Sequence, residues 1–390
     1  MKPMKKMKRL LGVLLAAVMV LAMNITAFAA DTYTITIKNS NTGHLYEAYQ
    51  VFSGDLSENI LSNVKWGAGV KGTELLTALK SDSSIGNSFT ACGTAADVAK
   101  VLEGFTNNSG EIDAFAAVVG KHLSDSAAGT SATEPSDGKY SITGLSAGYY
   151  FVKDSNKVSE NDASTKFILK LTDNTEVTPK SSVPTVEKKV QEEDYTADNT
   201  YGNGYNDVAD WDIGDAVPFK LIGTLPSTYD DYDTYKYVFH DTLSAGLTYN
   251  GDVNVYYASD KAGTGKQDIT SSFSTTTLSG NEITVTCENL KNVTGVTKGS
   301  YIIVEYTATL NTDAVIGLDG NTNEVYLEFS NNPNAGGEGE TGNTPTDKVI
   351  VFTYELDTTK VDGEDNTKLP NAEFKLKNSE GKWVTVDSDG

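Results

Sequence analysis

The sequence predicts a mainly β protein of antiparallel sandwich domains in tandem, the first with a helical insertion. Three observations lead there. Period-two alternation of apolar and polar residues opens the chain after residue 30 and returns from residue 139 onward. An apolar stripe of helical period is confined to residues 73–124. From 184 to 334, strand-like runs alternate with turn signals at short intervals, the pattern of an antiparallel sandwich. A length of 390 residues accommodates two to three such domains.

Residues 1–29 stand apart. A basic stretch, Met1 to Arg9, precedes an apolar run over 10–23, and Ala27-Phe28-Ala29 supplies the small residues of a cleavage site. That order is a secretory signal peptide, leaving a mature chain from Ala30. The apolar run is shorter than the roughly 20 residues a membrane-spanning helix needs.

The first domain, 30–172, begins with a strand that puts Tyr33, Ile35 and Ile37 on one face. Helical stripes follow: Leu75, Leu76 and Leu79; Val98, Val101 and Leu102; Ile112, Phe115, Val118 and Val119. Thr94 and Asp97 have the spacing of a helix start. Residues 125–138 read as an exposed loop and 139–172 as strands. A polar connector, 173–183, leads to the second sandwich, 184–334. Its strand candidates include Val217–Ile222, Tyr235–His240, Val253–Tyr257, Glu282–Cys287 and Tyr301–Leu310. A Gly/Glu/Thr-rich linker is expected over 335–347. A third unit begins at Lys348, but about forty residues are too few for a sandwich of the usual size, so it is expected to be incomplete at Gly390.

Composition excludes several functions. Fifty-three acidic residues against 31 basic ones give a net charge of −22, which argues against nucleic acid as the main partner. With three His and two Cys, neither a zinc cluster nor a disulfide scaffold is expected, and Cys92 and Cys287 read as unpaired. No nucleotide loop, paired metal-ligand motif or GxSxG elbow occurs, so no cofactor or metal is expected. Asp230, Asp231 and Asp233 read as solvated carboxylates, with weak calcium binding as the alternative.

The residues that carry chemistry are polar ones on strand faces that should be buried. In Val183-Pro-Thr-Val-Glu-Lys-Lys-Val190, parity puts Lys188 with Val186 and Val190, and Lys189 on the other face. Asp241 shares a face with Tyr235, Tyr237 and Phe239, and Asn323 with Val325, Leu327 and Phe329. The alternative is that each ends its strand and reaches water, and periodicity alone leaves it open. If all three point into one core, they define a reaction. A lysine amine deprotonated in an apolar site is a nucleophile. A carboxyl kept protonated by burial can polarise the carboxamide carbonyl. Attack and loss of ammonia join the two side chains by an amide, once per molecule.

At these residues the sequence resembles the major (backbone) pilins of Gram-positive bacteria, of the SpaA and FctA type. The resemblance is carried also by His44-Leu-Tyr-Glu-Ala-Tyr-Gln-Val-Phe-Ser-Gly-Asp55 with Trp66-Gly-Ala-Gly, by Asp212-Ile-Gly-Asp-Ala-Val-Pro-Phe219, by Asp241-Thr-Leu-Ser-Ala-Gly-Leu247 and by Asn323-Glu-Val-Tyr-Leu-Glu-Phe-Ser-Asn331. It implies immunoglobulin-like (CnaB-like) domains that form intramolecular Lys–Asn isopeptide bonds. It implies Lys188 and Asn323 as the cross-linked pair and Asp241 as the acid, with Lys189 and Asn321 as fallbacks. Tyr354-Glu-Leu-Asp-Thr-Thr-Lys-Val-Asp362 is similar to the opening of a CnaB-like domain, which implies Lys360 as a second buried nucleophile with partners beyond Gly390; Glu373 is not its acid. Val177-Thr-Pro-Lys180 stands where the family carries a motif ending in Tyr-Pro-Lys, which implies Lys180 as the nucleophile that sortase joins to the next subunit; Thr178 replaces the tyrosine. In the first domain Lys153 and Asp154 occupy the place of the family's glutamate and Lys38 lies off the core face, so no bond is expected there. The implied protein is a secreted, cell-wall-associated pilus subunit whose partners are other pilin subunits and sortase. The alternative is a non-polymerising surface adhesin binding a host protein or glycan. A secreted hydrolase would need a carboxylate pair in a cleft.

Overall fold

The structure, a computed structural model, describes residues 31–106, 109–192, 204–278, 281–378 and 381–384. The predicted leader lies outside the described residues. Strands dominate, and the four α-helices of the described chain all fall between Gly72 and Gly120.

In the first domain a five-stranded sheet has the central order Ile60–Trp66, Tyr46–Ser57, Gly148–Asp154, Lys166–Leu171, with Gly129–Thr130 paired to Tyr46–Ser57. That short strand lies within the segment expected to be a loop. One face packs on a three-stranded sheet, through Ile35, Ile37, Ala48, Tyr150 and Val152. The other face carries the helices, through Val51, Leu75, Val98, Phe115 and Phe151. Burial on both faces accounts for the unbroken apolar run Tyr149 to Val152, which alternation would not produce in a one-sided sheet. Thr94 caps its helix as its spacing predicts: its hydroxyl accepts from Asp97 N, and the Asp97 carboxylate accepts from Thr94 N. In Trp66-Gly-Ala-Gly the two glycines are steric necessities, because a Cβ on Gly67 or Gly69 would enter the Gln50 backbone.

The second sandwich packs two seven-stranded sheets face to face. One contains Val186–Gln191, Ala216–Thr224, Tyr301–Leu310 and Asn254–Ala258 in that order. The other contains Val208–Asp210, Asp347–Phe352, Asn321–Ser330, Tyr237–Leu243, Glu282–Cys287 and Ser274–Leu278 in that order. Inward residues of both sheets form one core.

Three boundaries differ from expectation. Thr175–Val177, placed in the connector, pairs parallel with Tyr33–Lys38 and belongs to the first domain. The expected linker 335–347 is folded onto the middle sandwich, with Thr341–Asn343 paired to Asn321–Ser330. The strand Asp347–Phe352, assigned to the third unit, lies inside the second sheet between Asn321–Ser330 and Val208–Asp210, with Val349 and Val351 fully buried. The middle sandwich therefore runs to Thr353. Ending the chain after residue 334 should leave this domain unfolded by circular dichroism, whereas ending it after 353 should not. Limited proteolysis should cut beyond Thr353 and spare 335–347.

Beyond Thr353 the described residues form only two isolated bridges, and Leu356, Phe374 and Trp383 are at least half exposed. Lys360, implied as a buried nucleophile of a unit expected to be incomplete here, is exposed, with its amine 3.2 Å from the Val361 carbonyl. Without a facing sheet there is no core for it to enter.

The two sandwiches meet through polar contacts to backbone carbonyls. Ser164 N donates to Asn331 O (2.8 Å), Asn343 N to Glu160 O (2.7 Å) and Asn334 Nδ2 to Asp154 O (2.7 Å). Beneath this junction His44 is fully buried, with Nδ1 on Asp154 and Nε2 3.1 Å from Asp162. Burial alone would lower its pKa, but the two carboxylates outweigh that and raise it to about 9. The free imidazole titrates near pH 6.5, so the stabilisation this group supplies is complete below that pH. It declines as pH rises and is gone above about 9. The first domain's unfolding temperature should fall over that window, and His44→Gln should flatten the fall; parallel curves for the two proteins would refute it.

Candidate functional site

The middle core brings Lys188, Asp241 and Asn323 together. Val186–Gln191 alternates inward and outward, so Lys188 has no exposed surface while Lys189 points outward and pairs with Asp207. Asp241 and Asn323 lie on neighbouring strands of the facing sheet, where Asp241 stands opposite Val325 and Leu243 opposite Asn323. One side-chain alternation along the strand therefore separates them. The three residues thus turn inward, and none of them ends a strand into water.

Lys188 Nζ lies 2.6 Å from Asp241 Oδ2 and 3.2 Å from the Tyr306 hydroxyl. That hydroxyl donates to Asp241 Oδ2 at 2.9 Å and accepts from Asn323 Nδ2 at 2.7 Å. The Phe219 and Tyr306 rings flank the amine, each with its centroid 5.5 Å away. Lys188's backbone N–H donates to Asp347 Oδ2 at 2.7 Å, which ties the strand to the facing sheet.

A fully buried ion pair carries a desolvation cost of several kcal/mol per ion, and moving one proton from amine to carboxylate removes it. Burial pushes the Lys188 amine down and the Asp241 carboxyl up, in each case against the pull of the partner. Both shifts favour the neutral pair. The hydrogen bonds fit that state. Oδ2 of Asp241 accepts two donors, while its Oδ1 and Oδ1 of Asn323 are both buried without a partner. Oδ1 of Asp241 is thus the oxygen free to carry the proton, and the Asn323 carbonyl is free to accept one. A neutral amine spends its two N–H bonds on Oδ2 and the Tyr306 hydroxyl and keeps its lone pair free.

Asn321 is also buried but is occupied otherwise. Its Oδ1 accepts from Val315 N at 2.9 Å, and its Nδ2 donates to the carbonyls of Val315 and Val351. It braces a loop and does not touch the lysine network. Lys180 is exposed, on irregular backbone between the domains. In the first domain Lys38 is exposed and pairs with Glu176, while Asp154 is committed to His44. Asp230 and Asp233 pair with Lys298 and Lys121, and Cys92 and Cys287 are free thiols.

Two participants were missed in the sequence, Tyr306 and Asp347. Parity places Tyr306 inward with Ile302, Val304, Ala308 and Leu310, and an inward phenol among aliphatics signals a hydroxyl needing a partner. Asp347 carried no such signal, because its segment read as linker.

Fold and site together define a β-sandwich protein whose chemically distinctive groups are sealed inside a core. Residues 213–333 match the family model described as Gram-positive pilin backbone subunit 2, Cna-B-like domain. The matched residues lie within the middle sandwich, which carries Asp241 and Asn323. The trypsin-resistant surface T6 protein of Streptococcus pyogenes serotype M6 is 24% identical over 233 residues, covering 53% of this chain and 39% of that protein. The chain therefore spans about two fifths of that relative's length. Among solved structures, the T6 backbone pilin of the same organism aligns with a TM-score of 0.53 and 20% identity, covering 92% of this chain and 72% of that one. It is described as a modular three-domain structure. The major pilin subunit BcpA of Bacillus cereus aligns at a TM-score of 0.42 and 14% identity, over 91% and 79% of the two chains.

Proposed function

We propose that this chain is a structural subunit of a cell-surface pilus, exported by its leader and polymerised by a separate sortase through Lys180. An isopeptide bond between Lys188 and Asn323, promoted by Asp241, locks its middle domain. The observation that carries this reading is the sealed meeting of an amine, an acid and a carboxamide within a domain that matches the pilin backbone family model.

The neutral amine attacks Cγ of Asn323 while protonated Asp241 stabilises charge growing on the amide oxygen. Ammonia leaves, and an amide joins the two strands. The core supplies proximity and excludes the water that would hydrolyse the intermediate. Each molecule reacts once on itself, so the chain is a scaffold and not an enzyme. Lys180 has the opposite setting: an exposed amine on irregular backbone, where another protein can reach it. Intact-mass measurement of the mature protein tests the internal bond. It should be lighter by one ammonia, with proteolytic peptides containing Lys188 and Asn323 joined; full mass would end the reading.

A further inference from the structure

We infer that Tyr306 is a catalytic residue of the internal cross-linking step, carrying a proton from the attacking lysine nitrogen to the departing asparagine nitrogen. The inference rests on the Lys188–Asn323 reading above and concerns how its proton balance closes.

Amide formation between Lys188 and Asn323 moves one proton. The neutral amine loses one of two N–H bonds, and the carboxamide nitrogen gains one to leave as ammonia. Asp241 contacts the amine, but its Oδ2 accepts from both Lys188 and Tyr306, and neither Asp241 oxygen is hydrogen-bonded to Asn323 Nδ2. The Tyr306 hydroxyl alone bridges the two nitrogens, 3.2 Å from Nζ and 2.7 Å from Nδ2. It accepts from both and donates to Asp241 Oδ2, which uses its whole hydrogen-bonding capacity.

The direction of its bond to Asn323 must reverse during the reaction. In the starting amide the nitrogen lone pair is delocalised, so Nδ2 donates. Once Nζ has bonded to Cγ, that nitrogen becomes pyramidal and its lone pair localises. It then accepts, and the nearest O–H is that of Tyr306. The hydroxyl gives its proton to Nδ2, the C–N bond breaks, and the hydroxyl is restored by the proton released from Nζ. Asp241 and Tyr306 end as they began. Full burial beside Asp241 holds the phenol far above its usual range, so it works as a neutral relay and not as a phenolate.

Tyr306→Phe keeps the ring, which stacks on Phe219 with centroids 5.4 Å apart, and removes the hydroxyl. Closure followed by intact mass in freshly made protein should slow by about a hundredfold or more, the usual worth of a positioned acid. Wild type and Asp241→Ala are the closed and open standards by mass, and Tyr306→Phe at full mass should unfold below wild type but above Asp241→Ala, because its Lys188–Asp241 contact survives. A ring-fluorinated tyrosine at 306 keeps the hydroxyl geometry and makes it more acidic, so closure should run at a rate several-fold different from wild type, which a purely positioning hydroxyl would not produce. If Tyr306→Phe fails to fold, the fluorinated protein decides. Wild type at full mass would refute the cross-link itself. A closed wild type with equally fast Tyr306→Phe, or with an unchanged rate for fluorinated protein, would refute the relay alone.

Discussion

Asp241→Ala should return the mass of one ammonia to the mature chain and strip the middle domain of much of its stability. The bond would close a loop between Lys188 and Asn323, which lie 135 positions apart. Treated like a disulfide of that span, it contributes about 5 kcal/mol by constraining the unfolded chain. For a domain of this size that corresponds to a fall in unfolding temperature of roughly 10–20 °C. The alanine also leaves the buried Lys188 amine without its hydrogen-bond partner, a further loss of about 1–3 kcal/mol. Lys188→Met separates the two terms. It removes the bond without leaving an unpaired amine in the core, so it should be open by mass yet more stable than Asp241→Ala. Equal stability of wild type and Lys188→Met would mean that no bond had formed.

Lys180→Ala should abolish the high-molecular-weight ladder in cells that carry the matching sortase, and leave the monomer folded and internally cross-linked. On the proposed assignment the effect is all-or-none, because each subunit would offer one acceptor amine per junction and a polymer needs every junction. Lys180 touches neither core, so its loss should not move the unfolding temperature. A persisting ladder would transfer the role to another exposed lysine.

Much of the lysine site was legible because a strand has period two. Once Val186 and Val190 face the core, Lys188 must, and the same holds for Asp241 beside Phe239 and for Asn323 beside Val325. Parity did not say whether those strands continue past the polar residue, and the register between strands settles that. The choice of Asn323 over Asn321 was not legible, since both share a face and only the loop contact of Asn321 separates them. The helical insertion was readable from its stripes and its cap. The end of the middle domain was not. Residues 335–347 have the composition of a linker, yet Thr341–Asn343 is held by backbone bonds to Asn321–Ser330, which side-chain pattern does not record. Asp347–Phe352 carries the alternation of a strand, but nothing local says which sheet it joins.

The placement of Asp347–Phe352 bears on how the domain would lengthen under tension. With Lys188 and Asn323 joined, a pull applied at the two ends of the domain passes from one strand directly to the other. The 134 residues between them carry no load and cannot pay out. At about 3.4 Å per extended residue, that withholds roughly 450 Å of contour length from each subunit. The slack that remains lies beyond the bond, where Asp347–Phe352 is zipped to its neighbour from Asn321 opposite Val351 to Val325 opposite Asp347. That short ladder is then the yielding element of an otherwise inextensible link, and its release would give a small, reversible stretch before any covalent bond is strained.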